Sequence, residues 1–163
     1  FINAKQLAKL EAAVERARES GATILTGGKR LTDDEHKGGF YMAPTIIEDA
    51  RPSDAISRDE LFGPITCLYR VKGFTEAVER VIDSPFGLTA AIHTKNMHRA
   101  MTFMNEVKTG VISINGATYG SEPHMPFGGL GQSGTGWREA GTEALDVYSD
   151  WKTVYIVHDP TDV

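Results

Sequence analysis

Between Ile65 and Ile114, short apolar runs alternate with stretches of helical periodicity, and this alternation constrains the fold more than any other feature of the chain. Ile65 to Val71 reads as a strand that is apolar on both faces. Thr75 then stands as a helix cap, with Ala77, Val78, Val81 and Ile82 on one helical face and Ser84-Pro85 as the stop. Leu88 to His93 reads as the next strand and Met97, Ala100, Met101 and Met104 as a helical stripe. Gly110 follows as the helix stop, and Val111 to Ile114 as another buried strand. Strands apolar on both faces need cover on both sides, and strands joined by helices need crossovers. The pattern therefore predicts an α/β class: a parallel sheet with right-handed crossover helices, arranged in three layers.

The flanking segments are less regular. Asn3 is placed to cap a helix, with Gln6 at the reciprocal capping-box position and Leu7, Leu10, Val14 and Ala17 on its apolar face until Gly21. Because the chain opens on Phe1 and a helix starts at once, it is expected to begin inside a longer polypeptide. Thr23 to Thr26 leans towards a strand, Lys29 to Lys37 is a charged and solvated loop, and Phe40 to Ile47 is extended, since Pro44 forbids a helix interior. Asn115 to Gly141 is glycine-rich and aperiodic, long enough to suggest a functional loop. Trp151 to His158 reads as a closing strand with two apolar faces, which invites pairing with another chain.

Composition narrows the function. Of 163 residues, 22 are acidic and 17 basic, a formal charge of -5 that opposes phosphate-neutralising contacts, so nucleic acid is not an expected partner. No apolar run approaches the roughly 20 residues of a membrane helix, so no membrane partner is expected either. A single cysteine, Cys67, cannot form an internal disulfide, which fits a reducing compartment and a cytoplasmic location. It lies in an apolar strand without a cationic neighbour and reads as a small buried hydrophobe. His36, His93, His98, His124 and His158 show no ligand spacing suited to zinc, so no metal site is expected. The methionine stripe at Met97, Met101 and Met104 reads as core packing.

Three motifs fail on context. Gly129-Leu130-Gly131-Gln132-Ser133-Gly134 matches the dinucleotide fingerprint as a string, but a poor strand precedes it and glycines interrupt the helix that should follow. Ser133 lacks the second glycine of a nucleophile elbow, and Gly28-Lys29 is followed by Arg30, which breaks the phosphate-loop pattern.

Three segments in fixed order carry a resemblance: Gly39-Phe40-Tyr41-Met42-Ala43-Pro44-Thr45; Asp59-Glu60-Leu61-Phe62-Gly63-Pro64; and Pro126-Phe127-Gly128-Gly129 with Ser133-Gly134 and Arg138-Glu139. Together with Asn115 after a strand and the Lys152-Thr153-Val154 of the closing strand, they resemble the last third of the aldehyde dehydrogenase subunit. The resemblance implies oxidation of an aldehyde to a carboxylic acid while NAD or NADP takes the hydride. In that family a cysteine thiolate adds to the carbonyl and a glutamate activates the hydrolytic water. Both groups, and most of the cofactor-binding domain, would lie upstream of the region matched here, so this stretch alone is expected to be inactive.

The same resemblance assigns roles by position. Glu60 matches the carboxylate that accepts hydrogen bonds from the ribose beside the nicotinamide, and Phe62 the aromatic residue that limits the nicotinamide's freedom. Phe127 matches a wall of the aldehyde tunnel, and Ala117, Thr118 and Tyr119 lie in the loop at its mouth. Glu139 matches a glutamate near the water path and is a candidate proton relay, although Trp137 stands between Gly136 and Arg138, where many members run Gly-Arg-Glu. Residues 1–145 would be the C-terminal part of a catalytic domain and 146–163 an oligomerisation strand and tail, with Trp151 to Val157 pairing subunits into a dimer or tetramer. The alternative is a non-catalytic assembly module of the same fold.

Overall fold

The computed structural model describes residues 1–158 and 161, and its chain divides into two compact units, Phe1–Ser84 and a second from Pro85 onward. In the first unit, helix α1 (Ala4–Glu19) begins where the Asn3 carboxamide oxygen accepts from the Gln6 backbone N–H at 2.9 Å. It ends at Ser20 and Gly21, whose φ of 94° suits a residue without a Cβ. Leu7, Leu10, Val14 and Ala17 recur on one face and are buried with Ala22, Met42, Ile47 and Ala50 in a single core. Burying each of the larger aliphatics contributes on the order of 1.5–3 kcal/mol, so this face holds the helix in place.

That core backs a three-stranded sheet of order β1 (Thr23–Thr26), β2 (Thr45–Glu48) and β3 (Ile65–Leu68). β1 runs antiparallel to β2 with an irregularity between Ile24 and Thr26, whereas β2 and β3 are parallel, from Thr45 opposite Ile65 to Glu48 opposite Leu68. A short helix, α2 (Ala55–Arg58), lies in the crossover between the parallel strands, and α3 (Phe74–Ile82) follows β3. Arg58 ties α2 to the end of α3 by donating to the Asp83 carbonyl at 2.5 Å and pairing with its carboxylate. Thr45 is buried yet satisfied, accepting from the Gly28 N–H and donating to the Ala43 carbonyl, each at 2.8 Å.

The second unit contains β4 (Phe86–Gly87), β5 (Thr89–Ile92), α4 (Met97–Glu106), β6 (Val111–Ile114), β7 (Leu130–Gly131) and α5 (Ala144–Val147). β5 and β6 are parallel, joined by α4 as the crossover, and β4 pairs antiparallel with β7. Asn96 caps α4 by accepting from the Arg99 N–H at 3.1 Å, and Ala100, Phe103 and Val107 are buried.

The α/β class and its parallel strand pairs stand as expected, but several details differ. The strands divide among three small sheets, β1 joins antiparallel, and β3 stops at Leu68 with Thr66 and Leu68 exposed rather than apolar on two covered faces. Helix α3 is capped at Gly73, not Thr75, because the Glu76 carboxylate reaches back to the Lys72 N–H at 2.8 Å. Met97, Met101 and Met104 are exposed while Ala100 and Phe103 take the buried face of α4. Gly110 does not end that helix; it lets two backbones meet, since a Cβ there would stand 1.6 Å from the Gly128 carbonyl oxygen. Trp151 to His158 is exposed and carries no strand, because a ladder needs a partner and no described residue supplies one.

Candidate functional site

Helix α2 closes with the Asp59 N–H on the Ala55 carbonyl at 2.8 Å, and the chain turns at once into the loop Glu60 to Pro64. Its far end is fixed by the sheet: the Thr45 N–H donates to the Pro64 carbonyl and the Ile65 N–H to the Gly63 carbonyl, both at 2.8 Å. Leu61 packs partly buried against the core, and Gly63 lies so close to Leu10 that a Cβ would meet its Cδ1 at 2.6 Å. Between those anchors Phe62 has φ 55°, a left-handed conformation that an aromatic side chain adopts only when its surroundings impose it.

The result is an outward-facing pair. Phe62 is 77% exposed and Glu60 is exposed beside it. Both line an open groove of about 470 Å³ whose other wall includes Ile56, Ser57, Cys67 and Tyr69. An ionised carboxylate accepts two hydroxyl donors at once and an exposed aromatic face packs against a flat ring, so the pair fits a sugar diol joined to a planar heterocycle.

Cys67 borders this groove, half-buried rather than a sealed core residue. Burial pushes its thiol pKa up, with a hydrogen bond involving Tyr69 opposing that shift, and its Sγ lies 3.9 Å from the Ile56 carbonyl oxygen. Tyr69 is likewise raised by burial, against the effect of its 2.5 Å hydrogen bond to the Ser57 hydroxyl oxygen. A thiol held protonated in this way is not an activated nucleophile.

In the second unit the structure brings Phe127 and Glu139 together. The Phe127 N–H donates to the Glu139 carbonyl and the Glu139 N–H to the Phe127 carbonyl, each at 2.9 Å. The Phe127 side chain is half-buried and Glu139 exposed. Ala117, Thr118 and Tyr119 form an exposed stretch after Asn115, whose φ is 57° and whose carboxamide accepts from the Thr94 N–H at 2.8 Å and donates to the Thr94 carbonyl at 3.0 Å. That clamp joins the ends of β5 and β6 and launches the glycine-rich loop.

The dinucleotide-like string is excluded by its surroundings: Leu130–Gly131 is a two-residue strand, and no long helix follows among the described residues. Its glycines serve backbone contact, as at Gly129, where a Cβ would stand 2.4 Å from the Ser133 carbonyl oxygen. Asp33, Glu35 and His36 bring potential ligand atoms within 4.8 Å of one another on an exposed loop, a clustering that histidine spacing did not suggest. It follows from a turn in which the Asp33 carboxylate accepts from the Glu35 and His36 N–H groups and contacts the His36 Nδ1 at 2.6 Å. No helix among the described residues is long and apolar enough to cross a membrane.

Sequence reasoning missed the side chain that reaches the loop from α1. Gln6 does not close a capping box; its amide nitrogen donates to the Leu61 carbonyl at 2.7 Å and lies 3.3 Å from the Phe62 carbonyl. No pattern in the sequence marks this contact: Gln6 is half-buried in a first turn whose Ala4 and Lys5 are exposed.

Comparison with known proteins shows the family. The family model described as "Aldehyde dehydrogenase family" matches residues 1–154. An alpha-ketoglutaric semialdehyde dehydrogenase of Bacillus subtilis (strain 168) is 35% identical over 143 residues, covering 88% of this chain and 29% of that protein. A benzaldehyde dehydrogenase [NAD(+)] of Pseudomonas putida is 32% identical over 162 residues, covering 99% of this chain and 32% of the relative. The structure of betaine aldehyde dehydrogenase from Staphylococcus aureus in complex with NAD+ superposes with a TM-score of 0.84 at 35% identity, covering 90% of this chain and 29% of the other. The chain thus spans about a third of the length of the proteins it matches. With the match running through both loops described above and almost to the last residue, the chain belongs to the aldehyde dehydrogenase family.

Proposed function

We propose that this chain is the C-terminal portion of an NAD(P)-dependent aldehyde dehydrogenase, supplying the nicotinamide-ribose contact, part of the aldehyde wall and the subunit-pairing segment. The observation that carries the reading is the pairing of Glu60 and Phe62 on one restrained loop at the rim of one groove. Glu60 accepts the two ribose hydroxyls, and its charge strengthens both hydrogen bonds. Phe62 packs against the planar ring and narrows its orientations, which counts directly in a reaction whose rate depends on alignment. When bound, the nicotinamide supplies the hydride acceptor.

Phe127, with the exposed stretch Ala117, Thr118 and Tyr119, forms an apolar wall that holds the aldehyde and keeps stray water out. Glu139 stands beside it as the proton-relay group. The nucleophilic cysteine and general-base glutamate belong to polypeptide upstream of residue 1, so the 163-residue stretch alone is inactive. Trp151 to Val157 completes a sheet of a second subunit in a dimer or tetramer, and its exposed apolar side chains support that reading. Residues 1–145 act as the C-terminal part of the catalytic domain and 146–163 as the pairing segment and tail. The lone, unpaired Cys67 fits a cytoplasmic setting.

The test is an activity assay of the complete gene product with NAD, NADP and a panel of aldehydes, beside Glu60→Gln and Phe62→Ala. Each substitution is expected to raise KM for the dinucleotide or lower kcat by about tenfold, near 1.4 kcal/mol. Turnover by residues 1–163 alone, or wild-type kinetics in both variants, refutes the proposal.

A further inference from the structure

We propose that Gln6 is a positioning residue for the Glu60–Phe62 loop: its side-chain amide holds the Leu61 and Phe62 carbonyls and so fixes the left-handed turn that presents Phe62 and Glu60 to the groove. This rests on the reading of that groove as part of the dinucleotide site.

The amide nitrogen of glutamine carries two N–H donors, and two backbone carbonyls stand within reach of it, at 2.7 Å for Leu61 and 3.3 Å for Phe62. The partners are 55 and 56 residues away in sequence, so this is a tertiary tie rather than local helix chemistry. It grips the residue under strain, because φ 55° falls on Phe62 itself rather than on a glycine. The other end of the tie is firm. The Gln6 backbone is capped by Asn3, and the flanking Leu7 and Leu10 are fully buried. Leu10 also abuts Gly63, so α1 meets the loop at a second point that leaves no room for a Cβ. A capping-box glutamine would have directed its side chain to the N-cap residue; here the donors go to the loop instead.

A structural hydrogen bond would affect stability alone, whereas a positioning residue must also affect what the loop presents. The experiment uses the complete gene product and the variants Gln6→Leu, Gln6→Glu and Gln6→Lys. Leucine and ionised glutamate remove the donors, and lysine restores N–H donors on a flexible stem. The first readout is chymotrypsin cleavage after Phe62 in dinucleotide-free protein, followed by mass spectrometry. The second is KM for NAD or NADP against KM for the aldehyde.

Gln6→Leu and Gln6→Glu are expected to speed cleavage about tenfold and to raise the dinucleotide KM by a similar factor, leaving the aldehyde KM within about twofold, and Gln6→Lys to recover most of both. Unchanged cleavage in the leucine and glutamate variants overturns the proposal. So does faster cleavage with an unmoved dinucleotide KM, or a lysine variant that behaves like leucine. If the unsubstituted protein oxidises no aldehyde with either dinucleotide, the functional reading has failed, while the cleavage comparison still judges the tie.

Discussion

Phe127 and Glu139 exchange a reciprocal pair of backbone hydrogen bonds, each 2.9 Å long. Trp137 lies inside the loop they close, is 63% exposed, and directly follows Gly136 at φ 93°. The two backbones are opposed across this loop. Because Glu139 contributes its backbone to this pair, Glu139→Gln is expected to leave thermal stability unchanged in the complete gene product. On the proposed relay role, loss of its carboxylate should nevertheless lower kcat by about tenfold at constant aldehyde KM. Phe127→Ala is expected to act on the aldehyde KM instead, by a comparable factor, through lost apolar contact. Steady-state kinetics with a thermal melt separates the two.

Two glycines should respond in opposite ways to substitution. At Gly110 a Cβ would be driven to 1.6 Å from the Gly128 carbonyl oxygen, and backbone on both sides leaves nothing flexible to yield. Gly110→Ala is expected to cost at least ~3 kcal/mol, seen as a large fall in the thermal midpoint or loss of soluble protein. Gly73, the N-cap of α3, has extended backbone at φ -177° and open space where a Cβ would go. Gly73→Asp is expected to stabilise by about 0.5–1 kcal/mol, through a new cap and a less flexible unfolded chain. A destabilised Gly73→Asp would mean that the backbone there is less open than it looks.

The legible parts of the fold were those fixed by local pattern. Asn3, the spacing of Leu7, Leu10, Val14 and Ala17, and Gly21 define α1 almost to the residue, because capping and a one-sided apolar stripe are properties of the helix itself. The parallel pairing of β5 with β6 likewise follows from two apolar runs separated by a helix. What escaped depended on distant partners. Which strands share a sheet, and that β1 joins antiparallel, are decided by tertiary pairing. The exposure of Met97, Met101 and Met104 arises because Phe103 and Ala100 win the buried face. At the candidate site, the motif pointed to Glu60 and Phe62, which the structure places on one groove, but the reach of Gln6 across 55 residues leaves no periodic trace.

Acid should loosen α3 through Glu76. Its carboxylate accepts from the Lys72 N–H at 2.8 Å and from Arg80 at 2.8 Å, and these hold its pKa below the ordinary value near 4.5, the backbone hydrogen bond contributing most. A group whose folded pKa is depressed adds stability that is complete above its unfolded pKa and disappears as pH falls through the folded one. Wild-type stability is therefore expected to decline as pH drops below about 4.5, and Glu76→Gln to lose part of that dependence while being less stable at neutral pH. Urea melts at pH 7 and at acid pH check both signs. Equal pH slopes for the two proteins would show that this contact does not couple to folding.

Cys67 offers the sharpest test of where the chemistry resides. Its position on the groove beside Glu60 and Phe62 makes it the one sulfur in the chain that could be taken for a nucleophile. Burial raises its pKa, and its hydrogen-bond neighbours are the Tyr69 hydroxyl and the Ile56 carbonyl, neither a cation that would stabilise a thiolate. Iodoacetamide at pH 7.5 should label Cys67 several-fold more slowly than it labels free glutathione, and the rate should still be climbing above the usual thiol range as the thiolate finally forms. In the complete gene product, Cys67→Ser should keep kcat within about twofold, because serine preserves the size of a side chain that only packs. Loss of turnover in that variant, with rapid labelling in the parent, would place the reactive sulfur in this chain and remove the reason for seeking it upstream.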